Sequence, residues 1–235
     1  MRYFLFGLTQ GISFFAMLFG APILGDLSDQ IGRKKILLIS LMGYSFAYLM
    51  AVFAVLFHSV FILLFGRIIA GFTGGSISTA QAAIVDMSTN ENKTTNIGFI
   101  LLAISLGSIL GSLISGILSN KHLLNWFQIT TPLYFAAGLS LLNIVYLNFA
   151  FNETFIPTEI KPIKLLAGLN GFISAFTTSS LLNLSLTFLF MQLGWATFVQ
   201  FIALYLALQF HLSALDIGIY MACIGIGFSL AFFIF

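Results

Sequence analysis

The sequence predicts an all-α membrane protein that crosses the bilayer several times. Of its 235 residues, 60% are hydrophobic and only 7% are charged, whereas a soluble domain carries about a quarter charged residues. Seven apolar stretches are long enough to cross the hydrocarbon core, which takes about 20 residues. They must be helices, because lipid offers no hydrogen-bond partner to an open backbone. A net charge of only +2 gives no indication of nucleic-acid binding.

The predicted spans follow one another with short polar interruptions. The sixth is longer than one crossing requires, so we expect it to tilt or to extend into the interface. The apolar residues 165–176 are too few to cross, and we interpret them as an interfacial segment or as the lead-in to the sixth span. The seven spans are residues 3–24, 36–57, 60–85, 97–118, 131–151, 178–209 and 217–235.

Basic residues set the predicted orientation. When residues 25–35 are placed in the cytoplasm, six Lys and Arg residues outside the spans fall on that side and two on the other. The positive-inside rule favours this assignment, which puts the N-terminus outside the cell (inner) membrane. The inner group is Arg33, Lys34, Lys35, Lys93, Lys161 and Lys164, and the outer group is Arg2 and Lys121.

Charge is concentrated in the first predicted turn. Residues 25–35, GDLSDQIGRKK, hold five of the sixteen full charges of the chain. Gly25 and Gly32 are expected to give a short hairpin its tight backbone. Asp29 can cap the following turn or pair with Arg33, and Lys34 is expected at the lipid headgroups. Anchoring of a hairpin to the inner membrane surface would by itself also favour cations here.

The spacing G-x-L-S-D-x-x-G-R-K in this turn resembles the loop signature between the second and third helices of the major facilitator superfamily. Two later stretches, one that ends the third span at Asp86 and one at 107–116, resemble the tetracycline- and multidrug-efflux-like, proton-antiporter branch of this superfamily. Gln30 departs from the pattern, because the family usually has a cation there. The resemblance implies a partial major facilitator fold, with seven transmembrane helices corresponding to helices 2–8 of twelve, and a chain that is truncated at both ends.

The resemblance also implies three regions along the chain. Residues 1–151 correspond to helices 2–6 of the N-terminal half, 152–177 to the cytoplasmic linker between the halves, and 178–235 to helices 7 and 8. Asn152-Glu153-Thr154 resembles the stretch that closes the N-terminal half. The substrate site of the complete fold lies between the two halves, near the midplane.

Arg67 lies inside the third predicted span, where an arginine is costly unless it snorkels or faces a polar interior. Gly71 and Gly75 follow on the same helical face, and small residues at this spacing let two helices approach closely. The run GRIIAGFTGG at 66–75 closely resembles the R-x-x-x-G signature of the family's fourth helix. That resemblance implies a role for Arg67 in proton coupling. The alternative is a snorkelling arginine beside glycines that only pack.

Asp86 ends the third span in a stretch similar to the A-x-I-A-D-x-T of tetracycline-efflux-like members. We expect it to form an ion pair with Arg33 that latches two helices in one state of an alternating-access cycle. The alternative is an exposed carboxylate at a helix end, which contributes little.

The fourth span contains GSILGSLISG at 107–116, which resembles the fifth-helix antiporter motif G-x-x-x-G-P-x-x-G-G. Gly107, Gly111 and Gly116 predict close helix packing. Ser112 stands where the motif has proline, and Ser115 replaces one of its glycines.

Five side chains inside the spans are candidates for a substrate cavity. An amide in lipid seeks a polar partner, so these groups should face the interior of the bundle. The tryptophan could stack on an aromatic substrate or pack between helices. The candidates are Gln10, Gln81, Asn143, Gln192 and Trp195.

Together these features predict a secondary transporter and not an enzyme. The expected activity is proton-coupled efflux of small amphipathic molecules or drugs by alternating access, with the proton gradient as energy source. The expected partners are the substrate, protons and the bilayer, and the expected state is a monomer. We expect no catalytic residue, metal site, cofactor or nucleic-acid partner. Two alternatives stay open: a truncated, non-transporting fragment, and solute uptake by the same fold.

Overall fold

The computed structural model describes residues 2–121, 123–155 and 167–234, and this part of the chain is helical with no strands. The structure therefore confirms the predicted all-α class. Nine helices follow one another in the described residues. They are α1 (Arg2–Ile31), α2 (Arg33–Leu56), α3 (Val60–Gly74), α4 (Ser76–Asp86), α5 (Lys93–Leu118), α6 (Thr131–Ala150), α7 (Ala167–Thr177), α8 (Ser179–Gln209) and α9 (Ala214–Ile234).

Within the described residues, six segments are long and apolar enough to cross a membrane, with α3 and α4 counted as one. They correspond to the first six predicted spans. The seventh predicted span overlaps α9, whose part Ala214–Gly227 is a shorter apolar helix. Large apolar side chains cover the outside of these helices; Phe61 is 85% exposed and Phe149 82%. Such a surface is suited to lipid and not to water, so the protein is an integral, multi-pass membrane protein.

The charged segment at 25–35 is mostly helix and not a hairpin loop. α1 continues through Gly25 to Ile31, and the helical path breaks only at Gly32, with φ 104° and ψ 148°. This is backbone geometry that glycine adopts readily and other residues rarely do. The predicted turn is therefore corrected: Gly32 alone makes it. Gly25 lies within α1, because nothing between 25 and 31 interrupts the helical hydrogen bonds.

The described chain forms two compact units. Unit 1 comprises Met1–Lys93 and Leu133–Thr178, and unit 2 comprises Thr94–Pro132 and Ser179–Phe235. The division into two halves and a linker stays a prediction.

Glycines bring α1 and α3 of unit 1 into backbone contact. The carbonyl of Ser13 on α1 occupies the space that a side chain at Gly71 would need, and the backbone of Ala21 does the same at Gly75. Small residues at a helix crossing permit this approach and give dense van der Waals contact, which is the main attraction between helices in lipid. The same principle applies to α2, where Met50 lies 3.0 Å from the position of a Cβ on Gly66.

The third predicted span is one crossing with an interruption at Gly75. The Gly75 amide donates to the Phe72 carbonyl at 3.2 Å, and the Ser78 amide donates to the Gly75 carbonyl at 3.3 Å. Bonds between residues three apart tighten the helix into a turn of 3₁₀ type. This turn separates α3 from α4 at the point where α1 presses on the glycine.

Hydroxyl groups join α6 to α2 in unit 1. Ser140 donates to the Leu41 carbonyl at 2.9 Å, and Ser45 donates to the Ala137 carbonyl at 3.4 Å. Both serines are buried, and hydroxyls in an apolar bundle need such partners. Each helix thus donates one side-chain bond to the backbone of the other.

In unit 2, α5 and α9 meet through glycines. A Cβ on Gly116 would lie 2.8 Å from the Ala214 carbonyl oxygen, and one on Gly218 would lie 2.7 Å from that of Ser112. Gly107 and Gly111 differ, because no other described helix comes within 4 Å of a Cβ placed at either position. The predicted close packing at these two positions is therefore corrected: α9 meets this part of α5 through Gly225 and Ile109, and not through the two glycines.

Of the apolar residues 165–176, the first two lie outside the described residues, and the others lie in α7, a helix of its own that packs against α1. A bend at Thr178 separates it from α8. Its location at the membrane interface stays a prediction.

The contact between α1 and α3 predicts different results for two Gly→Ala variants. Gly71→Ala should lower the stability of the purified protein by about 1–3 kcal/mol, because its Cβ collides with the backbone of α1. Gly107→Ala is the matched control, and the better helix propensity of alanine should leave it unchanged or slightly stabilised. The measurement is the thermal unfolding midpoint in detergent. Equal midpoints for the two variants would contradict the backbone contact at Gly71.

Candidate functional site: the charge cluster around Arg33

Arg33 is the first residue of α2, and its side chain is almost completely buried, with 9% exposed. The break at Gly32 turns the start of α2 against the end of α1, which brings Arg33 close to Ser28 and Asp29. A guanidinium carries five N–H donors and no acceptor. Burial of this group is therefore stable only if acceptors surround its edge.

Acceptors on α1 and α4 surround the edge of the Arg33 guanidinium. The Arg33 Nε donates to Oδ2 of Asp86 at 3.1 Å, and Nη1 donates to the Ser28 hydroxyl at 2.5 Å. The same Nη1 forms an ion pair with Asp29. Ser28 is fully buried, and its own hydroxyl donates to the Gly25 carbonyl at 2.7 Å. The structure thus brings Arg33 together with both carboxylates that the sequence suggested as partners.

The two ion pairs differ in strength because they differ in exposure. The Asp29 side chain is 56% exposed, and an ion pair so open to solvent contributes at most about 1 kcal/mol. The Asp86 side chain is only 24% exposed, so its charge-assisted bond is better shielded from water. This second pair also joins elements distant in sequence, the start of α2 and the end of α4.

Glu153 is a member of the cluster that the sequence did not assign to the site. It lies just after α6, and its Oε1 accepts from the backbone amide of Arg33 at 2.7 Å. The Lys34 amide donates to its Oε2 at 3.2 Å. The carboxylate therefore caps the N-terminus of α2, where unpaired amides and the helix dipole favour a negative charge. A Cβ at position 32 would collide with this carboxylate, a second reason for glycine there.

Lys34, near the start of α2, caps the C-terminal end of α6 in turn. Its Nζ donates to the carbonyl of Asn148 at 2.7 Å, in the last turn of α6, where carbonyls lack helical partners. A cation at that end also complements the helix dipole. α2 and α6 therefore cap each other: Glu153 satisfies the start of α2, and Lys34 satisfies the end of α6.

One sequence signal could have identified Glu153. The residue before Arg33 is glycine, and Gly32 offers no side chain to cap α2. A helix start without its own cap needs an acceptor from elsewhere, and Glu153 is an acidic residue directly after a predicted span. The sequence does not show which helix end lies beside it.

Arg67 lies apart from this cluster, on α3. It lines a cavity of about 80 Å³ with Tyr48 of α2, Gly66 and Leu133 among its other walls. The predicted shared face is only partly observed, since Gly71 contacts α1 whereas Arg67 borders a space beside α2. No hydrogen bond or ion pair joins Arg67 to the residues that the structure describes.

The five candidates for a substrate cavity are divided between the two units, three in unit 1 and two in unit 2. Two of them, on α1 and α4, are half-buried, and three, on α6 and α8, are exposed. Trp195 packs against Phe198 with the ring centroids 6.0 Å apart. A substrate role for these residues stays a prediction. The half-buried pair is Gln10 and Gln81, and the exposed group is Asn143, Gln192 and Trp195.

Comparison with known proteins gives a consistent result. The model of the Major Facilitator Superfamily matches residues 1–235. The tetracycline resistance protein, class C, of Escherichia coli is 32% identical over 90% of this chain and 51% of that protein. The class H tetracycline resistance protein of Pasteurella multocida is 38% identical over 57% of this chain and 31% of that protein. The quinolone resistance protein NorA of Staphylococcus aureus is 28% identical over 85% of this chain and 48% of that protein.

A solved structure shares the fold. The crystal structure of the human organic anion transporter MFSD10 (TETRAN) superimposes with a TM-score of 0.66 at 19% identity, covering 94% of this chain and 54% of that protein. This chain thus spans about half the length, or less, of the proteins it matches.

The Arg33–Asp86 pair predicts a charge-exchange rescue. Arg33→Glu and Asp86→Arg should each lower stability by about 1–3 kcal/mol, because each leaves like charges facing one another. The double variant should recover part of this loss in the thermal midpoint; recovery is incomplete because Asp29 then faces Glu at position 33. Asp29→Asn, which removes the more exposed partner, should have the smaller effect. A double variant no more stable than the worse single variant would contradict the pair.

Glu153→Ala should uncap α2. We expect a loss of about 1 kcal/mol and faster hydrogen exchange of the amides of Arg33 and Lys34, measured by mass spectrometry. Glu91→Ala, which removes an exposed carboxylate from the α4–α5 turn, is the control and should leave these amides unchanged. Equal exchange at residues 33–34 in the wild type and Glu153→Ala would show that the cap does not form.

Proposed function

This chain belongs to the Major Facilitator Superfamily, and we propose that it is part of a secondary transporter that exports small amphipathic molecules or drugs. The observation that carries the proposal is the buried Arg33 cluster, in which the segment that resembles the superfamily's loop signature is bonded to Asp86 and Glu153. The names of its relatives, tetracycline and quinolone resistance proteins, support export as the direction and drugs as the substrate class.

In this proposal the Arg33 cluster acts as a gate on the cytoplasmic side. Arg33 ties the end of α1 and the start of α2 to the end of α4 through Asp29 and Asp86. A buried ion pair holds its two helices in place, because loss of one partner would leave the other charge unpaired in apolar surroundings. The pair with Asp86 closes in one state of an alternating-access cycle and loosens in another. The two states of the cycle then differ in whether these partly buried bonds of Arg33 are made or broken.

Arg67 is the proposed proton-coupling residue. Its support is the R-x-x-x-G resemblance, together with a cation in a membrane span that borders a small cavity. Intramembrane charges are commonly part of ion or substrate pathways. Coupling would take place where a carboxylate or the substrate comes close to the guanidinium during the cycle.

The remaining features complete the proposal. The protein lies in the cell (inner) membrane, works as a monomer and uses the proton gradient as energy source. The end of the bundle with Lys34 and Lys35 faces the cytoplasm, as the positive-inside bias favours. The five cavity candidates contribute to the substrate pathway; they are Gln10, Gln81, Asn143, Gln192 and Trp195.

Everted membrane vesicles test the export proposal directly. Vesicles from cells that express the complete reading frame should accumulate tetracycline or a quinolone when respiration generates a proton gradient. A protonophore should abolish the accumulation. Absence of flux for both drugs, or flux that survives the protonophore, would contradict proton-coupled drug export.

The same assay tests Arg67. Arg67→Ala should abolish energised accumulation while leaving the amount of protein in the membrane unchanged, because its removal takes away the charge but little packing. Lys121→Ala, which removes a cation from the loop after α5, is the control and should transport normally. Wild-type accumulation by Arg67→Ala would favour a snorkelling residue with no part in coupling.

A further inference from the structure

The ring of Phe155 covers Arg33. The ring centroid lies 4.9 Å from the guanidinium carbon. The three acceptors of the cluster, on Ser28, Asp29 and Asp86, bond to N–H groups, which point outward in the guanidinium plane. The two faces of that plane cannot donate, and an aromatic ring is a favourable neighbour for them. Arg33 thus has acceptors at its edge and an aromatic ring within reach of its centre.

The segment that follows α6 holds Phe155 in this place. Glu153 Oε1 accepts from the amides of Thr154 and Phe155 at 3.1 and 3.3 Å, in addition to its bond from the Arg33 amide. The Glu153 carboxylate therefore bonds both to the two residues that follow it and to the start of α2. Phe155 is half-buried as a result, although it lies outside any helix.

We infer that residues 152–155 form a lid over the charge cluster and that Phe155 is a positioning residue for Arg33. The ring keeps water from the guanidinium, which strengthens both ion pairs because the effective dielectric around them falls. Displacement of residues 152–155 would therefore uncover Arg33 and weaken its hold on Asp86. This inference concerns local burial and does not depend on the export proposal.

Arginine-specific labelling with phenylglyoxal tests the lid. The chain has three arginines, Arg2, Arg33 and Arg67, and peptide mass spectrometry resolves labelling at each. In wild-type membranes, labelling of Arg33 should be slow. Phe155→Ala should accelerate it about fivefold, the factor that corresponds to loss of a cation–π contact of about 1 kcal/mol. Labelling of Arg67 should stay at its wild-type rate.

Two further substitutions separate the aromatic face from simple bulk. Phe155→Tyr keeps the ring and should keep the protection of Arg33. Phe155→Leu keeps an apolar side chain without a ring and should lose most of it. Phe149→Ala is the matched control, since it removes a phenylalanine that is 82% exposed on the nearby helix α6, and it should not change Arg33 labelling.

Three results would overturn the inference: wild-type labelling in Phe155→Ala, equal protection by Leu and Tyr, or an equal rise in Phe149→Ala. If Phe155→Ala also accelerates labelling of Arg67, the whole unit has loosened, and the Leu and Tyr variants then decide between a lid and general packing. Because the assay reports burial and not flux, failure of the lid and failure of drug export give separate signals.

Discussion

A buried guanidinium constrains everything around it, and the structure of unit 1 is arranged to meet that constraint. Arginine side chains carry a charge in proteins, and the side chain of Arg33 is almost completely buried at the end of an apolar bundle. Its edge must therefore meet acceptors, and each of these comes from a helix end: Ser28 and Asp29 from α1, and Asp86 from α4. The requirement to satisfy one side chain thus fixes the relative positions of three helix termini.

Helix termini are suited to this purpose because they carry unsatisfied backbone groups of their own. The first amides of α2 donate to Glu153, and a carbonyl in the last turn of α6 accepts from Lys34. Four elements therefore converge at one end of the unit through bonds that no single helix could complete. Deeper in the unit the contacts are of a different kind: glycines such as Gly71 let backbones touch, and buried serines bond to carbonyls across α2 and α6. Packing sets the distances between helices, and the charge cluster sets the register of their ends.

The fold class and the spans could be predicted because lipid leaves the chain few options. Apolar length alone locates the helices to within a few residues except at the end of α1. The Gly32 break, the Arg33–Asp29 pair and the Arg33–Asp86 pair follow from residue type and spacing. The role of Glu153 could not be predicted, since it depends on which helix end lies beside it. The prediction for Gly25 is wrong because charged residues near a span suggest a loop, whereas α1 simply continues past the apolar segment. Gly107 shows the converse: a small-residue pattern permits close packing, but it does not determine which face of α5 meets the neighbouring helix, and α9 contacts Ile109 instead.

The most direct measurement of the central contact is a solid-state NMR recoupling experiment on the protein in lipid, with ¹⁵N-labelled arginine and aspartate labelled with ¹³C at Cγ. The Nε signal of Arg33 should dephase strongly, because Nε lies 3.1 Å from Oδ2 of Asp86, and Asp86→Asn should remove that dephasing. The Nη dephasing that arises from Asp29 should persist in the variant. If the Nε signal is the same in the wild type and in Asp86→Asn, Arg33 does not hold α4, and the buried guanidinium does not organise these helix ends.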